Sequence, residues 1–270
     1  MRVALVGYGT IGKVIVNYIM AGGIPDVQLV AVADNRDCED LRRVGERGIP
    51  VVEDAALLLK FPFDLVIEAA GQEVVRTYAE VFLRAGKHMM ILSPGALADP
   101  SLLVNLTRLA RDQGVRIIVP SGAIGGLDAI KAASIGRIDE IIINIIKPPQ
   151  SLEGAPYVIR NHIDLYAFRT PTKIFEGSAS EAAREFPRNL NVSVALSLAG
   201  IGPEKTHVIL VVDPNETRNI HEITARGEFG EARFAVAALP SPDNPMTSHI
   251  ASLSAIATLK QFASSLQIGT

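Results

Sequence analysis

Over roughly the first 120 residues the apolar positions gather in short runs, at 3–6, 27–33, 51–52, 65–67, 89–92 and 115–119, interrupted only by Gln28 and Arg116. Most stop at small or acidic residues: Gly7, Asp34, Glu68-Ala69-Ala70-Gly71, Ser93-Pro94-Gly95 and Pro120-Ser121-Gly122. Runs of Val, Ile and Leu without polar alternation fit strands covered on both faces. Between them, 11–20, 73–84 and 100–113 read as helices, the first stopped by Gly22-Gly23. Strands alternating with helices imply a parallel sheet with right-handed crossovers. After about residue 125 the rhythm changes. The stretch 140–146 is a strong strand, and Ser178-Ala-Ser-Glu181 has the form of a capping box opening a helix. Pro187 and Asn191 interrupt that helix before 192–198, a helix or buried segment. Strands follow at 208–212, 220–226 and 233–238, the last two flanking the hairpin sequence Gly227-Glu-Phe-Gly230. From 244 to 266 the composition is helical. The expected fold class is α/β: a doubly wound parallel sheet followed by a second, α+β domain with a mixed or antiparallel sheet.

The turn after the first run reads Gly7-Tyr8-Gly9-Thr10-Ile11-Gly12. Gly-x-Gly-x-x-Gly alone is a weak signal, but here it follows a strand at once and opens a helix. Asp34, an acid, lies 22 residues past Gly12 at the end of the next strand. Together these form the dinucleotide-binding fingerprint of a Rossmann domain. Gly7 permits the tight turn, Gly9 lets backbone approach a pyrophosphate, and Gly12 allows the helix to pack close to the strand. Thr10 and Ile11 sit at the helix N-terminus, whose N–H groups and dipole suit phosphate. Asp34, with Asn35 and Arg36 beside it, is placed to meet the adenosine ribose. Its carboxylate favours NAD over the 2′-phosphate of NADP, whereas Arg36 can stack on adenine or pair with that phosphate. Both cofactors therefore stay open. Ligands of such sheets sit beyond the carboxyl ends of the strands. Ala69 and Ala70, Ser93, and Ala123 in Ser121-Gly122-Ala123-Ile124 fall there, in small-residue segments that let a flat ring approach backbone.

The chain of 270 residues suits two domains, and 48% hydrophobic against 20% charged residues is enough to build cores. A net charge of −3 and the absence of Trp give no footing for nucleic acid or an anionic membrane. Cys38 is the single cysteine, which excludes an internal disulfide or a cysteine-based metal cluster. No other metal constellation is visible. The first apolar run is too short for a signal peptide or membrane helix. A cytoplasmic protein acting on a small molecule is expected.

Hydride transfer belongs to a nicotinamide cofactor, so the protein must place substrate and move a proton. Of five histidines, His88, His162, His207 and His249 fall at strand starts, in a polar stretch or on the last helix. His221 shares an alternating strand face with Ile223 and Ala225, and is the candidate acid–base residue, although a core histidine satisfied by its neighbours fits the same pattern.

At the level of whole motifs the chain resembles the L-aspartate dehydrogenases of the NAD-biosynthesis type. The resemblance rests on Gly7-Tyr-Gly-Thr-Ile-Gly12, Pro120-Ser-Gly-Ala-Ile-Gly-Gly-Leu-Asp-Ala129, Phe186-Pro-Arg-Asn-Leu-Asn-Val192, Asn219-Ile-His-Glu-Ile223 and Asn244-Pro-Met-Thr-Ser248, in order along nearly the whole chain. It implies that His221 is the active-site proton carrier and that Ala123 and Asn191 meet the cofactor near the nicotinamide. It also implies a homodimer. The Rossmann domain would be 1–124, with a helix from 245–270 returning to it, and 125–244 would be the catalytic and dimerisation domain. The implied reaction takes L-aspartate through iminosuccinate to oxaloacetate and ammonia, reversibly, with NAD or NADP. Lys147, Arg160, Arg169, Lys173 and Arg218 are candidate partners for the substrate carboxylates, and the sequence does not choose among them. Two alternatives stand beside this reading. One is a dihydrodipicolinate-reductase or homoserine-dehydrogenase type of enzyme, the former lacking its paired histidines here. The other is a non-catalytic NAD sensor, which would need neither His221 nor Asn191.

Overall fold

A computed structural model describes residues 1–269 except Asp37, Pro242 and Asp243, and leaves aside the side chains of Pro245 and Met246. The chain forms two compact units. One comprises Met1–Pro120 with Ala255–Gln267, the other Ser121–Ser254 with the C-terminal residues from Ile268.

The first unit runs β1 (Arg2–Val6), α1 (Thr10–Met20), β2 (Gln28–Ala33), α2 (Glu39–Glu46), β3 (Val51–Val52), β4 (Leu65–Glu68), α3 (Gln72–Arg84), β5 (His88–Ile91), α4 (Pro100–Asp112) and β6 (Ile117–Ile118). Its six strands are parallel in the order β3-β2-β1-β4-β5-β6. That order reverses direction beside β1, which makes the Rossmann switch point. The unbroken apolar runs have the burial they call for: Val3, Ala4, Leu5, Leu65, Val66 and Ile67 are inaccessible to solvent. Asp99 caps α4 by accepting from the Ser101 and Leu102 N–H groups, with Pro100 at the first helical position.

The second unit runs α5 (Leu127–Ala133), β7 (Ile138–Lys147), α6 (Pro156–Arg160), β8 (Thr172–Ser178), α7 (Ala179–Glu185), α8 (Asn191–Ala199), β9 (His207–Val212), β10 (Asn219–Gly227), β11 (Gly230–Ala238), β12 (Pro240–Ser241) and β13 (Asn244–Ser248). Its main sheet is mixed, in the order β11-β10-β7-β9-β8, with only β7 and β9 parallel. The β10–β11 hairpin closes between Gly227 and Gly230. The Ser178–Glu181 capping box is present at the start of α7. Strict alternation gives the sheet two unlike faces. Ile141, Ile143 and Ile145 of β7 join Ile223, Ala225, Val208 and Leu210 in the core, while Ile142, Ile146, Ile209, Val211 and Ile220 face the other way, half-buried.

The last helix, α9 (His249–Ala263), sends Ala255, Ile256 and Leu259 into the core of the first unit beside Val3, Leu5 and Ile15. The sequence reading of 244–266 as wholly helical is corrected here: 244–248 is the strand β13, antiparallel to β12. Asn244 precedes Pro245, and the residue before a proline is driven towards extended backbone. The strand expected over 115–119 is likewise shorter, since only Ile117 and Ile118 pair with β5. Among the described residues no helix is long and apolar enough to cross a membrane.

Leu259 is fully buried, so Leu259→Ala is expected to lower stability by about 2–5 kcal/mol. The urea midpoint should fall while far-ultraviolet circular dichroism in buffer stays native.

Candidate active site

The nucleotide turn is forced into shape by its own backbone. Gly7 has φ +93°, and a Cβ there would also lie 2.6 Å from the Ala69 carbonyl carbon. At Gly12 a Cβ would overlap the Gly7 carbonyl oxygen and press on Leu5. Open space instead surrounds the Cβ direction of Gly9, and no side chain caps α1 there. A diphosphate fits such a turn: room at the second glycine and unshielded helix N–H groups at its edge. Asp34 is buried at the end of β2. It accepts from the Tyr8 N–H at 2.7 Å and the Arg36 N–H at 2.9 Å. The Arg36 guanidinium adds a two-pronged bond, Nε to Oδ1 at 2.9 Å and Nη2 to Oδ2 at 2.7 Å. Burial opposes ionisation of Asp34, but the guanidinium and the two amides outweigh it and hold the carboxyl below its usual range. Asn35 and Arg36 themselves are exposed.

Behind this turn stands a residue that the motif reading passed over. Glu68, the last residue of β4, has no solvent exposure. Its Oε1 accepts from the N–H groups of Ala70 at 2.8 Å and Gly71 at 2.7 Å. Ser93 donates to it twice, from its N–H and its hydroxyl, each at 3.0 Å. Burial outweighs the pull of the four donors and holds the Glu68 carboxyl above its usual range. One carboxylate thereby ties the 69–71 turn to the 93 turn. The Ser93 hydroxyl, a candidate cofactor contact by position, is spent on Glu68.

In the second unit, His221 is 2% exposed on β10, opposite Ile145 of β7. Its ring hydrogen-bonds the Ala123 backbone, while Nδ1 has no partner among the described residues. Ala123 is buried, and its neighbour Gly122 lies against Val192, next to Asn191 at the start of α8. Ala123 thus meets His221, and the turn that carries it lies beside the start of α8, where Asn191 stands. Two more polar groups lie on the same buried strand face. Lys147, the last residue of β7, is 3% exposed and donates to Asn219 Oδ1 at 3.0 Å. Asn219 is wholly buried, and its Nδ2 has no acceptor among the described residues. Burial and then the Lys147 charge drive the His221 pKa down to about 3, and burial takes Lys147 down to about 8. His221 is neutral at pH 7 and able to accept a proton.

Comparison with known proteins agrees with both halves of this geometry. Residues 7–120 match the family described as homoserine dehydrogenase, NAD binding domain, and residues 128–262 match aspartate dehydrogenase, C-terminal. A protein of Methanocella arvoryzae named L-aspartate dehydrogenase is 46% identical over all of this chain and 99% of its own length. Its counterpart in Methanococcoides burtonii is 42% identical over both full lengths. The crystal structure of aspartate dehydrogenase from Thermotoga maritima superposes with a TM-score of 0.77 at 28% identity, covering 100% of this chain and 99% of that one. The chain belongs to the aspartate dehydrogenase family. It is an NAD(P)-dependent oxidoreductase, and its first unit is the NAD(P)-binding domain.

The remaining candidates of this family member fall away from the buried cluster. His88 accepts from the Arg116 N–H and meets Phe262 edge to face. His207 pairs with Glu176, His162 sits exposed in a left-handed turn, and His249 opens α9 at the surface. Arg160, Lys173 and Arg218 are exposed and paired with Glu185, Glu176 and Glu216, while Arg169 caps backbone carbonyls at the surface. Of the five cations named from sequence, Lys147 alone is buried. Alternation could have signalled this, because Lys147 continues the Ile141, Ile143, Ile145 face.

Two outcomes follow. Glu68→Ala would strand the Ala70, Gly71 and Ser93 N–H groups, at a cost of about 3 kcal/mol or more. Thermal melting should fall accordingly, and NADH should bind more weakly in a fluorescence titration. The His221 ring has its usual pKa near 6.5 when unfolded and about 3 when folded. Folding thus expels its proton in acid. The neutral ring costs nothing above about pH 7, and stability is lost as pH falls from 6.5 towards 3, by on the order of 4 kcal/mol. His221→Asn should flatten that part of the profile of urea midpoint against pH.

Proposed function

We propose that the protein catalyses the reversible, NAD(P)-dependent oxidative deamination of L-aspartate through iminosuccinate to oxaloacetate and ammonia. The observation that carries this reading is the neutral, water-excluded His221, set beside a buried cation in a member of this family. The bound nicotinamide supplies the hydride acceptor. His221 takes the proton from the α-amine as the C–H bond breaks, which leaves a neutral imine. The imidazolium then returns that proton to the imine nitrogen as water adds to the C=N carbon, takes up the proton the water loses, passes it to the departing nitrogen, and ends with the proton of the collapsing hydroxyl as oxaloacetate and ammonia form. A pKa of about 3 is far below the range in which a general base works best. The negative charge of a bound dicarboxylate acts to raise it, so substrate prepares its own base. Gly7, Gly9, Thr10, Ile11 and Gly12 would hold the diphosphate, Asp34 and Arg36 the adenosine ribose, and Ala123 and Asn191 the nicotinamide end.

We place this reaction in the cytoplasm, where it would supply iminoaspartate for pyridine nucleotide synthesis. We also propose a homodimer formed through the sheet of the second unit. Its outer face carries Ile142, Ile146, Ile209, Val211 and Ile220 at one end, and the paired charges Glu140, Arg226, Glu231 and Arg233 at the other. An apolar centre beside a charged border is the form of a self-associating surface.

The deciding assay follows NADH and NADPH formation with a panel of amino acids. L-aspartate should be preferred, and His221→Ala should lose at least about 100-fold in kcat with an unchanged fold. Turnover of another amino acid in place of aspartate would overturn the substrate assignment. Arg36→Ala should weaken NADPH more than NADH, since it removes the guanidinium paired with Asp34. In light scattering the native protein should have the mass of two chains. The double variant Ile142→Asp/Ile209→Asp should have that of one, with native circular dichroism.

A further inference from the structure

We propose that Lys147 and Asn219 form the anchor for a carboxylate of the substrate, the ammonium pairing with it and the Asn219 side-chain N–H donating to it. The proposal rests on the reading of the substrate as a dicarboxylic amino acid, and names the groups that recognise it.

The geometry begins with the lysine. An ammonium has three protons to donate and nothing to accept with. Lys147 therefore needs the oxygen of Asn219, and the 3.0 Å bond fixes which way the amide faces. That leaves Nδ2 as a donor in a fully buried place with no acceptor among the described residues. Lys147 itself makes no ion pair with any carboxylate among the described residues. Arg160, Lys173 and Arg218 each have one. A buried cation and a buried amide donor on one strand face call for a ligand that only accepts, carries negative charge and offers several lone pairs. A carboxylate has all three properties. The next residue along that face of β10 is His221, also with an unpartnered ring nitrogen. Anchor and proton acceptor are therefore two strand residues apart, and a carboxylate held at the first leaves the rest of an amino acid within reach of the second.

Charge supports the same assignment. Burial pulls Lys147 down to about 8, yet it remains mostly protonated at neutral pH. Its charge also helps to hold His221 unprotonated. An anion at Lys147 relieves both conditions. The positions before Lys147 on the same face of β7, 141, 143 and 145, are all isoleucine, so packing on that face does not ask for a lysine.

The test uses Lys147→Met, Lys147→Arg and Asn219→Ala in the full-length enzyme, with succinate as a dicarboxylate that cannot be oxidised. Lys147→Met should melt at or above the native temperature, since removing an uncompensated buried charge relieves its desolvation. Its KM for aspartate should rise roughly 100-fold with kcat far less affected, and calorimetric binding of succinate should disappear. Lys147→Arg should recover part of the succinate affinity, and Asn219→Ala should lose part of it. Native KM for aspartate and native succinate affinity in Lys147→Met would overturn the anchor. If the native enzyme instead ignores aspartate and succinate and oxidises a monocarboxylic amino acid, the dicarboxylate reading fails by itself. The KM of Lys147→Met for that amino acid then decides the anchor: a rise sustains it and no change overturns it.

Discussion

Lys147 carries its charge to the core face of the five-stranded sheet with one hydrogen bond, to Asn219, and no carboxylate among the described residues to meet it. Taking an ammonium out of water costs several kcal/mol even after the protein relaxes around it. The surrounding sheet must therefore be secure without it. Ile141, Ile143 and Ile145 on the same strand, and Val208, Leu210, Ile223 and Ala225 on its neighbours, supply that security by burying apolar side chains completely or nearly so. The sheet is thus more than a scaffold. Its apolar excess permits an ammonium without a counter-ion, an amide donor without an acceptor and an imidazole nitrogen without a partner, among the described residues, to stand together. Those are the conditions under which a ligand's charge is felt most strongly.

The first unit handles buried charge in the opposite way. Glu68 and Asp34 are also buried, but each is saturated from within, Glu68 by three backbone N–H groups and a hydroxyl, Asp34 by two N–H groups and a guanidinium. Such satisfied carboxylates stiffen the turns that carry the donors. Here those turns are the ones at Tyr8, Ala70, Gly71 and Ser93. A dinucleotide makes most of its contacts with backbone, so its site needs turns held in fixed positions. A small substrate with two formal negative charges needs opposite charge. The two units spend their buried polar groups accordingly.

This difference also explains what the sequence disclosed. The nucleotide turn was legible because its constraints are local. Gly7 needs a positive φ and Gly12 needs to have no Cβ, and both requirements appear as glycine at fixed spacing. The alternating sheet was legible from 140–146 and 220–226 because period-two burial marks the letters directly. Glu68 was not, since its partners at 70, 71 and 93 include backbone groups, which leave no mark on the sequence. Lys147 was named with four other cations and could not be separated from them. Burial separates them, and burial depends on strand register between β7 and β10, set by residues 70 or more apart. The strand at 244–248 was hidden for a simpler reason, as one proline outweighed a helical composition.

His221 joins the two arguments. By alternation it belongs to the core face with Ile223 and Ala225, and a histidine in a core is ordinarily satisfied at both nitrogens. Here the ring bonds the Ala123 backbone, and Nδ1 is left without a partner among the described residues. A purely structural histidine at that depth would be replaceable by a leucine with a gain in stability, as would Lys147 by methionine. Two such liabilities side by side on one face, together with the orphaned Asn219 amide, are hard to attribute to packing. Each becomes favourable when an anionic amino acid is present: the ammonium gains its counter-ion, the amide its acceptor, and the imidazole a proton to take. The cluster's instability without ligand and its chemistry with ligand are therefore one property, differential stabilisation of the occupied site.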